Sequence, residues 1–272
     1  MKKDIDIKQI INLVRGLGDS FLGDFKSKPL PVNMGDLRKL SHDMDIRFQK
    51  ELKSKLETIY PKIGWPEEET EPAQQLKPLA IPEYWVCDVM DGAVQYVQHL
   101  SGWTVNLTLM KYGEPDFSVI YDPILNETFW AKSREGAFMN GKRIVPNKKK
   151  NLNEMLAVWE YTHHKKDEYH IYHQMGKSVT HLLEQFLCVR NYGPHALQLA
   201  YVGAGRIDLF HQEDLDTTNW LAGLFIAKEA GAEILTTDGK PWKYGADSLM
   251  IATKGVGRQL LKAINKFNNL KS

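Results

Sequence analysis

The chain has 272 residues, 43% of them hydrophobic, which suits one large α/β unit or two packed domains and excludes wholesale disorder. A formal net charge of +1 excludes a globally polybasic surface built for a nucleic-acid polymer. The two cysteines, Cys87 and Cys188, are too few for a disulfide scaffold or a four-cysteine zinc site.

The start, MKKDIDIKQI, alternates apolar and charged residues, so no signal peptide is expected. No apolar run reaches membrane-spanning length. The expectation is a soluble, cytoplasmic protein with no membrane partner. Ile7, Ile10, Val14, Leu17 and Phe21 recur at helical spacing and predict an amphipathic helix. Pro29 and Pro31 break the chain. Met44, Phe48, Leu52, Leu56 and Ile59 predict a second helix, which Pro61 stops. From Gly64 to Pro82 proline and acid dominate, predicting a long loop of the kind that carries function.

Tyr84 to Cys87 reads as a short strand running into Asp88-Val89-Met90-Asp91-Gly92. Trp103, Val105, Leu107 and Leu109 alternate with Thr104, Asn106 and Thr108, the pattern of a half-buried strand. Gly113-Glu114-Pro115-Asp116 is turn chemistry, and Phe117 to Tyr121 forms the partner strand. A further pair is predicted over 128–131 and 137–145, with Asn140-Gly141 as its tight turn. The stretch 146–154 reads as a seam between an N-terminal unit, 1–148, and a C-terminal unit, 149–272. Its Lys148, Lys149 and Lys150 make either a solvated turn or a phosphate or nucleic-acid contact. A helix is predicted from Thr217 to Glu229, with Gly231 as its cap, and Leu260, Leu261, Ile264 and Phe267 mark a last one.

The segment Asp88-Val89-Met90-Asp91-Gly92-Ala93 is the most informative. Two carboxylates end a strand just before a glycine and a helix start. Mg²⁺ takes one or two such protein oxygens plus water and phosphate, and free N–H groups at a helix start favour phosphate. Alone, this pattern also fits an ordinary turn. His163, His164, His170 and His173 offer an HxxH spacing for zinc, or a solvated loop and helix start among Lys165, Lys166, Asp167 and Glu168. The tryptophans read as core.

The 88–93 segment resembles the Asp-Pro-Ile-Asp-Gly-Thr metal motif of the inositol monophosphatase superfamily. Glu67-Glu68-Glu69-Thr70 resembles its Gly-Glu-Glu-Ser/Thr element. Arg134 to Gly141 is similar to its Gly-Ala-Phe-x-Asn-Gly hairpin. Asn219-Trp220-Leu221-Ala222-Gly223 with Glu229-Ala230-Gly231 resembles its Trp-Asp-x-Ala-(Ala/Gly)-Gly and Glu-Ala-Gly elements. The resemblance spans nearly the whole chain in order. It implies a layered α-β-α-β-α sandwich of the inositol monophosphatase and fructose-1,6-bisphosphatase type, with the site between its halves.

By position it implies Glu68, Asp88, Asp91, the Val89 carbonyl and Asn219 as ligands to two or three Mg²⁺ ions, with Mn²⁺ as a substitute. Gly92 and Ala93 would hold phosphate through backbone N–H groups. Glu68, Asp91 and Asp45 form the catalytic set, Asp45 orienting the attacking water; a solvated first-turn acid or N-cap is the other reading of Asp45. His195 and Gln212 stand where the family lines its substrate pocket, and His195 also reads as an ordinary loop histidine. The chain departs from the family at Ala93, which lacks the motif hydroxyl, and at Asn219, which lacks a negative charge. Asp216 either lends that charge or caps the following helix. The implied activity is metal-dependent hydrolysis of a small phosphomonoester by a homodimer; the alternative is an impaired member that binds a phosphorylated ligand or partner without turnover.

Overall fold

The computed structural model describes residues 4–66, 75–160, 169–191 and 193–271. Helix α1 (Ile7–Asp24) turns Ile10, Val14, Leu17 and Phe21 inward, and the Asp6 carboxylate caps it by accepting from Gln9 N at 3.0 Å. Helix α2 (Met34–Ile59) is longer than its apolar spacing predicts. It starts at Asn33, whose side chain accepts from Asp36 N at 3.0 Å, and its first turns add Leu37 and Leu40, half-buried against the same core, to the apolar stripe.

A six-stranded antiparallel sheet follows: β1 (Glu83–Asp91), β2 (Thr104–Lys111), β3 (Glu114–Asp122), β4 (Glu127–Lys132), β5 (Gly136–Met139) and β6 (Lys142–Arg143), in that spatial order. A short helix, α3 (Ala93–Val97), links β1 to β2. Asn140 and Gly141, at φ 46° and 77°, make the two-residue turn that their sequence demands. Strand β2 corrects the half-buried expectation: Thr104, Asn106 and Thr108 are as buried as Val105, Leu107 and Leu109. Their face of the sheet is covered as well.

The second sheet comprises β7 (Leu156–Glu160), β8 (Cys188–Arg190), β9 (Leu209–Glu213), β10 (Glu233–Leu235) and β11 (Ser248–Ala252) in the order β10-β11-β9-β7-β8. Strand β7 runs parallel to both β8 and β9; the other pairs are antiparallel. Helices α4 (Tyr169–Gln185), α5 (His195–Gly203), α6 (Thr217–Ala230) and α7 (Val256–Lys271) complete the chain.

The apolar clusters define five layers. α1 and α2 pack on one face of the first sheet through Val14, Phe21, Phe48, Leu107 and Val119. α5 and α6 cover its other face through Ala196, Phe225 and Ile226 against Ile120, Phe129 and Ala137. The same two helices meet the second sheet through Leu199, Trp220 and Leu224. α4 and α7 close the far side with Leu182, Phe186 and Leu260. This is the expected α-β-α-β-α sandwich. Sandwiched between two sheets, α5 and α6 cross closely at Gly223, where an added Cβ would lie 2.2 Å from Ala196 O. Gly223→Ala is therefore expected to destabilise the fold by about 1–3 kcal/mol through overpacking, read as a lower Tm in thermal unfolding; an unchanged Tm would show that the helices separate freely.

The seam is better tethered than its lysine run predicts. The fully buried Asp208 carboxylate accepts from Lys149 Nζ at 2.9 Å, from Leu156 N at 2.7 Å and from the Asn147 amide. Lys149 thus holds a buried acid instead of a solvated turn. No helix among the described residues is long and apolar enough to cross a membrane.

Candidate active site

Strand β1 builds the centre of the site. Side chains three residues apart on a regular strand point to opposite faces. Between Asp88, paired with Asn106, and Asp91, paired with Thr104, β1 spends one more residue than β2. That bulge compensates for the odd spacing, and both aspartates line one cavity of about 860 Å³. The strand then turns at Gly92, whose φ of 92° and whose contact with Gly102 O, 2.5 Å from an added Cβ, admit only glycine. Helix α3 starts directly afterwards, and the first N–H groups of a helix have no acceptor within it.

Asp91 is 5% exposed and firmly held. Its Oδ2 accepts from Asn106 Nδ2 and from Ala196 N, each at 3.0 Å. Thr104 Oγ1 fixes Asn106 in turn by donating to its Oδ1 at 2.9 Å. The polar face of β2 is thus the inner support of a carboxylate, which its alternating pattern disguises as a solvent face. Burial pushes the Asp91 carboxyl up to about 7, against the pull of the Ala196 and Asn106 hydrogen bonds, and the Glu160 charge adds to the rise.

Asp45 and Asp88 both line the cavity, and both act on Cys87. Burial raises the Cys87 thiol well above its ordinary value, and the charges of Asp88 and Asp45 push it further. Both effects disfavour the Cys87 thiolate. Asp45 lies well inside α2, which corrects the N-cap and first-turn alternatives: Asn33 is the cap and Asp36 the first-turn acid. Asp88 Oδ1 accepts from Met90 N at 3.1 Å, which locks the bulge.

The cavity is also lined by His195, the first residue of α5, and Asn219, in the first turn of α6. Asp216 occupies the N-cap position of α6, but its side chain makes no cap bond. Instead its Oδ1 accepts from Asn219 Nδ2 at 2.8 Å, so the amide oxygen of Asn219 is the atom left for the cavity. Asp216 Oδ2 lies 3.7 Å from His195 Nε2. Burial pushes the Asp216 carboxyl up to about 7, opposed by the Gln212 hydrogen bond and reinforced by the charges of Asp91 and Asp214. Asp216 thus keeps a carboxyl directly behind Asn219 without lining the cavity itself.

Val89, Gly92 and Ala93 also line the cavity, whereas Gln212 does not. Gln212 is fully buried; it accepts from Trp220 Nε1 at 2.7 Å and donates to Asp216 at 3.4 Å. The indole captures its amide, so the substrate-binding expectation for Gln212 is corrected. Glu68, with the rest of 67–74, lies outside the described residues, as do His163 and His164. His170 and His173 are exposed on α4.

Among the described residues no three His, Cys, Asp or Glu side chains are grouped so as to hold a metal ion. Beside the His195 imidazole and the Cys87 thiol, the cavity gathers a set of oxygen donors from Asp45, Asp88, Asp91 and the Asn219 amide. That set suits a hard dication such as Mg²⁺, which binds through one or two carboxylates plus water and substrate. Sequence reasoning missed Glu160, although it ends an apolar strand just as Asp88 and Asp91 do. It also missed Asn106, Asn191 and Gln198, whose partners lie far away in the chain.

The sandwich and its acidic cavity define a fold of the inositol monophosphatase and fructose-1,6-bisphosphatase type. The chain belongs to the inositol monophosphatase family, whose model matches residues 8–269. It is 29% identical to a fructose-1,6-bisphosphatase/inositol-1-monophosphatase of Thermotoga maritima over 186 residues, 67% of this chain and 68% of that protein. An inositol-1-monophosphatase of Rhizobium meliloti is 23% identical over 270 residues, 98% of each chain. A Nus factor SuhB of Xylella fastidiosa is 32% identical over 150 residues, 55% of this chain and 54% of that one. Among solved structures, a Thermotoga maritima IMPase superposes with a TM-score of 0.75 at 23% identity, covering 98% of this chain and 99% of that one. The inositol monophosphatase of Anabaena gives 0.76 at 21% identity, covering 95% and 94%. At those identities the structural likeness shows the fold.

Proposed function

We propose that the chain hydrolyses a small phosphomonoester, a polyol, sugar or nucleotide phosphate, in a reaction that needs Mg²⁺. The observation that carries this is the meeting of Asp45, Asp88, Asp91 and Asn219 in one cavity from three separate parts of the sequence. Asp88, Asp91, the Asn219 oxygen and the Val89 carbonyl, with Glu68, would hold the ions. When bound, Mg²⁺ or Mn²⁺ supplies Lewis acidity to the phosphate and lowers the pKa of water. The N–H groups after Gly92 receive phosphate oxygens, and Asp45 accepts a hydrogen bond from the attacking water. His195 meets the ester from α5. The names of the relatives support polyol and sugar esters as substrates. We assign the halves as 1–148 and 149–272, with a homodimer in the cytoplasm as the working form.

The test is a panel of inositol, sugar and nucleoside phosphates assayed with Mg²⁺, with Mn²⁺ and with excess EDTA. Phosphate release in the first two arms and none in the third is expected. Silence with both metals across the panel rejects the proposal.

A second reading is favoured by Ala93 and Asn219, and by relatives named as Nus factors: binding of a phosphorylated ligand without turnover. In that case such a ligand raises Tm and is recovered intact.

A further inference from the structure

One carboxylate that lines the cavity is left unused by the proposed chemistry. Strand β7 ends at Glu160, which is 2% exposed and lines the cavity. Its carboxylate is clamped: Oε1 accepts from Asn191 Nδ2 and Oε2 from Gln198 Nε2, each at 3.0 Å. Both amides are tied down as well, Asn191 to Trp159 O at 2.9 Å and Gln198 to Pro194 O at 3.2 Å. The acceptor is therefore pre-positioned and loses little freedom on binding.

Burying an anion beside Asp91 costs desolvation and repulsion that an apolar strand end would avoid. Glu160 stands in register with Gln212 across the parallel β7–β9 pair. Gln212 is withdrawn behind Trp220, so at this edge Glu160 is the group that reaches the cavity. The C-terminal ends of parallel strands are where open α/β sheets present groups to ligands. A carboxylate repels phosphate and accepts only from donors, which places the other half of the ester against it.

Resting on the phosphomonoesterase reading above, we propose that Glu160 is a specificity-determining residue. It accepts from a hydroxyl or ammonium group on the alcohol half of the substrate, so that donor-bearing esters are preferred over plain ones.

The test compares the full-length protein with Glu160→Gln and Glu160→Asp in Mg²⁺. The first variant keeps shape and loses charge; the second keeps charge and withdraws the carboxylate by one methylene. The probes are p-nitrophenyl phosphate, whose alcohol half carries no donor, and the matched pair glucose 6-phosphate and glucosamine 6-phosphate. The ratio of kcat/KM for a sugar ester to that for p-nitrophenyl phosphate is expected to fall at least about tenfold in both variants, the loss of one hydrogen bond to a charged group. A larger fall for the amino sugar identifies the donor as ammonium, and an equal fall as hydroxyl. An unchanged ratio overturns the proposal and leaves the phosphomonoesterase reading intact. If the unaltered protein turns over no ester, that reading fails by itself and calorimetric titration of the same sugar esters decides. A Kd at least tenfold weaker in Glu160→Gln supports the role, and equal or absent binding overturns it.

Discussion

Asp88→Asn is expected to lower kcat by about 10³-fold or more. The change keeps the side chain's size and the oxygen that receives the Met90 N–H, and removes one negative charge from the cavity. Losing a carboxylate ligand takes away several kcal/mol of dication binding or transition-state stabilisation, and each 1.4 kcal/mol or so is a factor of ten. A folding defect predicts something else. Asparagine keeps the Met90 hydrogen bond and takes one of several carboxylates out of the metal-free cavity. Tm without metal should hold or rise while phosphate release collapses. A variant that hydrolyses ester at the parental rate would remove Asp88 from the chemistry altogether.

Restoring both departures, Ala93→Thr with Asn219→Asp, is expected to raise kcat by about 10²-fold, within the range that a positioned proton acceptor contributes. Ala93 opens α3 at the cavity, where a threonine hydroxyl would be placed to meet the attacking water proposed for Asp45. Position 219 is less simple. Its amide donates to Asp216, and an aspartate there would set two carboxylates face to face. Like charges at that range disfavour joint ionisation. The Asn219→Asp protein should therefore unfold at lower temperature than its parent in EDTA and gain more Tm from Mg²⁺. Adding Asp216→Asn reverses the hydrogen bond and should recover the loss in EDTA. No gain in rate together with no change in Mg²⁺ dependence would show that neither position limits turnover.

The parts legible in the sequence are those with local signals. Helices α1 and α7 carry a clear apolar stripe, Asn140-Gly141 specifies its own turn, and Gly231 caps α6 at φ 101°. Even the layering follows once the order of elements is known, because α5 and α6 are apolar nearly all round and need cover on both sides. The same property hides the inner supports of the site. A polar residue on a strand is read as solvent-facing unless something covers it, so Asn106 gives no hint that it holds Asp91. Glu160 and Gln198 are 38 residues apart and meet only through the second sheet. Gln212 misleads for the opposite reason: an amide that seems free to bind ligand is taken by the Trp220 indole, eight residues on. Asp216 has the right position for a cap, and its side chain turns to Asn219 instead.

The extra residue that β1 carries between its two aspartates makes this centre sensitive to number as well as to kind. Were β1 to pair regularly through this stretch with all its residues kept, Asp91 would turn toward the opposite side of the sheet and away from Ala196. Relatives of this protein should therefore carry either this three-residue spacing with the bulge or a two-residue spacing without it.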